Sequence, residues 1–239
     1  MFSRKFFGGV AVGAAILAAA ICQASASTFT DGEFNAPPGS APFQTIDAGG
    51  SLGVWTVGTP AGASVPGSVD FINGYWQSPP TGGNSVDLDG LTPGSISQTF
   101  TSAGGTDVLS FYLSGNPDGI QAGDPNAKEL QVTISTSTGY YTYTLNPLTN
   151  SKGNMEWAYE TLAFSGGGST TVTFTSLDNT PPYTGYSGFY GPVVGGIGIT
   201  PIPAALPLFA GGLGLLGLVT RRRKRNGGAA VPSRLGLAA

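Results

Sequence analysis

Leu130-Gln131-Val132-Thr133-Ile134-Ser135 carries the fold of this chain in its alternation. Apolar and polar side chains take turns with period two, the mark of a strand with one face buried and the other wet. The pattern repeats upstream at Leu109-Ser110-Phe111-Tyr112-Leu113-Ser114 and downstream at Thr171-Val172-Thr173-Phe174-Thr175. Further strands are predicted at Val54–Val57, Ser68–Ile72, Ser85–Asp89, Ser95–Thr101, Tyr140–Leu145, Glu156–Phe164 and Phe189–Ile199. Turn signals separate them: Asn73-Gly74, Asp89-Gly90, Pro117-Asp118-Gly119 and Gly166-Gly167-Gly168. Nothing in the middle of the chain shows capped 3.6-residue periodicity. Short strands, Thr-rich outer faces and Gly/Pro turns predict an all-β jelly-roll sandwich. Residues 36–52 and 178–188 read as long surface loops.

Composition narrows the chemistry. The 39 glycines and 18 prolines among 239 residues approach the level of a disordered chain, but they fall between patterned segments. There is no histidine, which removes the usual general base and the usual metal ligand, and with them Ser-His-Asp triads and His/Cys zinc sites. The net charge of −3 conceals a segregation. Residues 27–200 hold all thirteen carboxylates and only Lys128 and Lys152, a balance of −11. Such a region repels phosphate backbones, so no nucleic-acid partner is expected, and it suits divalent cations or neutral sugars better.

The two ends differ from the middle. Arg4 and Lys5 precede an uncharged run, Gly8–Ile21, and then Ala24-Ser25-Ala26. That order is expected of a signal peptide over residues 1–26, with Ala24 and Ala26 marking the cleavage site. Cleavage there would remove Cys22, the only cysteine, so no disulfide would brace the exported domain. At the other end, Ala205–Val219 carries no charge and is followed by Arg221-Arg222-Arg223-Lys224-Arg225. Fifteen helical residues span roughly 22 Å, short of the ~30 Å hydrocarbon core, and counting back to Ile197 makes up the length. A transmembrane helix is expected, its basic end in the cytoplasm. The expected division is therefore 1–26 signal peptide, 27–199 sandwich domain, 200–225 sorting segment and 226–239 cytoplasmic tail.

The tail resembles the PEP-CTERM class of sorting signals in its V-P-L-P-A variant. The matching residues are Thr200-Pro201-Ile202-Pro203-Ala204, then Leu206-Pro207-Leu208, the Gly/Leu run and Arg221, Arg222 and Arg223. The resemblance implies recognition by a membrane-embedded exosortase, cleavage near the prolines, and display on or release from the cell surface. Thr200, Ile202 and the extension beyond the arginines depart from the pattern. The middle resembles the choice-of-anchor C family at Asp31-Gly32-Glu33-Phe34, Gly67-Ser68-Val69-Asp70-Phe71-Ile72 with Tyr75-Trp76, and Ser85-Val86-Asp87-Leu88-Asp89-Gly90. It continues at Gly94–Phe100, Leu113-Ser114-Gly115-Asn116-Pro117 and Gly191-Pro192-Val193-Val194. This implies a galactose-binding-like domain with a tie to polysaccharide. Gly195-Gly196 stand where relatives carry Asp or Asn.

Two groups of residues are candidates for chemistry. Asp87 and Asp89 lie two apart on a strand and so share a face. With Glu33 and Asp70 they supply hard oxygens suited to calcium. The same pair also reads as a solvated Asp87 with a turn-opening Asp89, or as an acid and base of a glycoside hydrolase. Aromatic rings stack on sugar faces, and Tyr75, Trp76, Tyr183 and Tyr186 are the candidate carbohydrate contacts, although Trp55, Trp76 and Trp157 also suit a core. No G-x-S-x-G elbow, phosphate loop or dinucleotide fingerprint occurs. The expectation is a non-catalytic, exported polysaccharide-binding protein; the alternative is an adhesive surface protein with protein partners and no glycan affinity.

Overall fold

The computed structural model describes residues 27–36, 39–178, 189–202, 213–214 and 216–218. The expected signal peptide with Ala24 and Ala26 lies outside the described residues, as do Tyr183, Tyr186, Pro203, Ala204, Arg221, Arg222 and Arg223. The elements follow in the order β1 (Phe43–Asp47), β2 (Ser51–Leu52), β3 (Trp55–Gly58), β4 (Ser68–Ile72), β5 (Ser85–Asp87), β6 (Ser95–Gly115), α1 (Asp118–Ala122), β7 (Ala127–Ile134), β8 (Ser137–Thr144), β9 (Ala158–Ser176) and β10 (Pro192–Pro201), and the described residues 213–214 and 216–218 are helical. The protein is all-β, and every one of these strand pairings is antiparallel.

The strands run in the order β1-β4-β5-β10-β6-β9-β7-β8, with β3 pairing β2 and also the start of β6. β6 and β9 hold the two layers of the sandwich together. The first half of β6 joins β3 and the end of β9, while its second half joins β10 and the start of β9. Sequence reading splits each of these long strands in two. They are continuous because Gly104 and Gly105, both at φ +90°, absorb a register shift between Ser102 and Gly105. Only glycine takes that backbone without strain, so the strand turns the corner as a bulge and does not end.

Alternation then fills the core. Val69, Phe71, Val86, Ile96, Leu109, Phe111, Leu130, Val132, Val172 and Phe174 are all fully buried in one cluster with Trp55. Phe111 meets Phe174 and Tyr141 edge-on at centroid distances of 5.2 and 5.1 Å. At roughly 1.5–3 kcal/mol for each large apolar side chain, this cluster is the main stabilising term.

Two expectations need correction. The stretch 36–52 is not one loop, since it contains β1 and β2. The membrane span cannot draw on Ile197–Pro201: β10 runs to Pro201, Ile197 is in the core, and Pro201 pairs with Asp107. The rest of the expected span, Ala205–Val219, lies mostly outside the described residues, among which no helix is long and apolar enough to cross a membrane.

Candidate functional site

In the β4–β5–β10 layer, Val69, Phe71, Val86 and Val194 point to the main core. Their neighbours Asp70, Ile72, Asp87 and Val193 project from the opposite face. Loops cover that face with a second, smaller cluster: Ile72, Trp76, Met155 and Val193, flanked by Tyr75 and Trp157. At its edge opens a cavity of about 260 Å³.

Aromatic rings form two of its walls. Phe43 from β1 and Tyr75 from the loop after β4 lie 5.3 Å apart between centroids, and Tyr75 and Trp76 lie 6.1 Å apart. Phe189 and Tyr190, just before β10, form a second pair at 6.4 Å. Phe43 and Phe189 are about half exposed, at 47% and 51%, and offer ring surface to the cavity. Polar groups complete the lining: Asp70, Thr45, Asn116 and Asp118. Thr45 donates its hydroxyl to Asp70 Oδ1 at 2.5 Å. Burial raises the Asp70 carboxyl above its ordinary range, and that hydrogen bond partly opposes the rise. The Trp76 indole Nε1–H is buried without an acceptor.

The site is built on Asp87. Its carboxylate is fully buried and accepts three N–H groups from three segments. Asn116 Nδ2 donates to Oδ2 at 2.7 Å, and the Asp89 and Gly191 amides donate to Oδ1 at 3.0 and 3.1 Å. Asn116 also donates to the Phe189 carbonyl, and its own Oδ1 receives the Asp118 amide at 2.9 Å, opening α1. One carboxylate thus ties the loops that present Asp118, Phe189 and Tyr190. Burial is the main cause lifting the Asp87 carboxyl well above its ordinary range, opposed by the bonds from Asp89 and Asn116.

Further in, Asp89 is also fully buried, with the Ser176 hydroxyl beside its carboxyl. Burial lifts this carboxyl well up, and the charges of Asp178 and Asp87 add to the effect. Asp178 accepts the Glu129 amide at 2.8 Å and is pushed up to about 7, chiefly by burial. Lys128, fully buried and ion-paired to Asp124, tempers all three carboxylates.

The expected acidic residues therefore part company. Asp70 lines the cavity and Asp87 supports it from below; the reading of Asp87 as a solvated residue is overturned by its complete burial. Glu33 lies elsewhere, accepting from Thr81 at 3.1 Å. Among the described residues no group of three or more acidic side chains is placed to hold a metal ion, so Glu33, Asp70, Asp87 and Asp89 do not form one calcium set. Tyr75 and Trp76 do meet Asp70 in the same cavity. Sequence reading missed Phe43, Asn116, Asp118, Phe189 and Lys152 as site residues. The Lys152 ammonium lies 4.0 Å over the Tyr75 ring, donates to its hydroxyl and pairs with Asp118 at 3.2 Å.

No family model and no curated protein matches the chain. Among solved structures, it is similar to a family 35 carbohydrate-binding module from Clostridium thermocellum, with 10% identity and a TM-score of 0.40 over 66% of this chain and 99% of that one. It is also similar to TmCBM61 in complex with β-1,4-galactotriose, with 10% identity and a TM-score of 0.36 over 74% of this chain and 100% of the other. The K2 cleaved adhesin domain of Lys-gingipain gives 16% identity and a TM-score of 0.41 over 66% and 99%.

Proposed function

We propose that the protein binds a neutral polysaccharide in the cavity between Phe43–Tyr75–Trp76 and Phe189–Tyr190, without catalysing its breakdown. The observation that carries this reading is the convergence of exposed rings with a carboxylate and an amide around one small hollow. Rings supply flat apolar faces for C–H groups, and Asp70 supplies a hydrogen-bond acceptor for hydroxyls. The carboxylates of Asp70 and Asp118, set in a region of charge −11, oppose uronic acids and favour uncharged sugars. The supporting shell is fixed by Asp87, so little ordering is left for binding to do.

The domain is a galactose-binding-like jelly roll related to the choice-of-anchor C family, exported and sorted by an exosortase to the cell surface. The order of signal peptide, domain, proline motif, apolar run and arginines supports it. Affinity electrophoresis through neutral and acidic polysaccharides, with and without calcium, tests the binding. Retardation by a neutral glycan, lost in a folded Tyr75→Ala variant, is expected. Mobility unchanged by every glycan, or preference for polygalacturonate, would sink the proposal.

A further inference from the structure

We infer that the site reads the interior of a glycan chain through two adjoining subsites, with Asp118 and Lys152 at their junction; this rests on the glycan-binding reading above. Asp118 lines the aromatic cavity and also a second hollow of about 550 Å³. The second hollow lies between α1 and the loop after β8, against Ile120, Gln121, Pro147 and Ser151. Lys152 lines the second hollow while its ammonium sits over Tyr75 of the first. The ion pair is thus a shared wall.

The chemistry on the two sides differs in a way that suits a polymer. The first cavity, at about 260 Å³, falls below the roughly 300–1,000 Å³ of ordinary ligand pockets and suits a single ring stacked among aromatics. The second has no aromatic wall; amide, hydroxyl and proline edges dominate it, which suits a sugar held by its rim. The pair is half exposed, with 43% and 36% of the Lys152 and Asp118 side chains open, and so reaches a linking oxygen or hydroxyl with little desolvation. Its position is fixed by the loop that carries it. Lys152 O receives the Gln77 amide at 2.7 Å, and Gln77 Oε1 in turn receives the Met155 amide at 2.8 Å. Asn150 donates to the Tyr143 hydroxyl at 3.0 Å. Both hollows are therefore preformed.

The test is titration calorimetry with β-1,4-linked gluco- and galacto-oligosaccharides of one to six units. The expected result is a dissociation constant that falls at least tenfold between the monosaccharide and the trisaccharide and then levels off. Gln121→Ala, on the exposed side of the second hollow, is expected to weaken the trisaccharide three- to tenfold while leaving the monosaccharide unchanged. Equal affinity for one unit and for three, with binding still dependent on Tyr75, would overturn the two-subsite inference and leave the glycan reading standing. No binding at any length would remove both.

Discussion

Asp87 shows how one buried side chain governs a surface it never touches. Its two oxygens hold N–H groups from Asn116, Asp89 and Gly191, so truncation leaves three donors without partners. Each buried orphan costs about 1–3 kcal/mol, although relaxation recovers part of that. Asp87→Ala is expected to lose about 2–4 kcal/mol in urea unfolding, with weakened retention by glycan in the fraction that stays folded. A loss below about 1 kcal/mol would show that the three loops do not depend on it. Residues of this kind are only half legible in a sequence. Asp70, Tyr75 and Trp76 stand close together in the chain and announce an acidic and aromatic locus. Asn116 and Phe189 arrive from segments far away, and only the register of β5, β6 and β10 brings them there, while Lys152 comes from the loop after β8, tied to the Gln77 amide. A local cue did exist: Asn116-Pro117-Asp118-Gly119 has the composition of an Asx turn, and the Asn116 side chain makes that turn's bond to the Asp118 amide.

At the level of elements, period-two alternation placed most strands to within a few residues, because a half-buried strand must alternate. It failed at the corners. Gly104-Gly105 and Gly166–Gly168 read as strand ends, yet β6 and β9 run through them, since a turn and a bulge call for the same residues. It failed also at the edge strand β1, where Phe43-Gln44-Thr45-Ile46-Asp47 keeps only Ile46 packed against the main core. The N-terminal segment has an attachment that composition conceals. The Gly32 carbonyl receives the Ile197 amide at 3.0 Å, and a Cβ on Gly32 would stand 1.8 Å from the Ile197 carbonyl oxygen. Backbone cannot yield as a flexible side chain does, so Gly32→Ala must push this segment off β10. The expected cost is about 1–3 kcal/mol, the range for overpacking. Hydrogen exchange should show the Ile197 amide losing protection while the amides of β7 keep theirs; unchanged protection at Ile197 would rule out the close approach.

Taken whole, the molecule sets an acidic domain against its own burial. Asp87, Asp89 and Asp178 are all raised from the ordinary carboxyl value of 3.8, Asp178 to about 7, with desolvation the leading cause in each. The sign of the consequence follows from proton counting. Between pH 4 and about 7 the folded state keeps a proton on Asp178 that the unfolded chain releases, and the raised carboxyls of Asp87 and Asp89 act in the same direction, so folding is favoured by acid. Stability therefore falls as pH rises through that window and levels off above the folded pKa values. Each carboxyl contributes a slope of at most ~1.4 kcal/mol per pH unit. Self-repulsion in a region of charge −11 works in the same direction as the remaining carboxylates ionise. Thermal melts should give a higher Tm at pH 5 than at pH 8, the reverse of a domain held by surface-paired carboxylates. Asp178→Asn keeps an acceptor for the Glu129 amide and removes one titrating group, so it should flatten the slope between pH 5 and 7 by about one proton's worth. A Tm that climbs from pH 5 to 8 would mean that these carboxylates are ionised and satisfied in the folded protein, and that the buried acidic cluster is neutralised by something other than protons and Lys128.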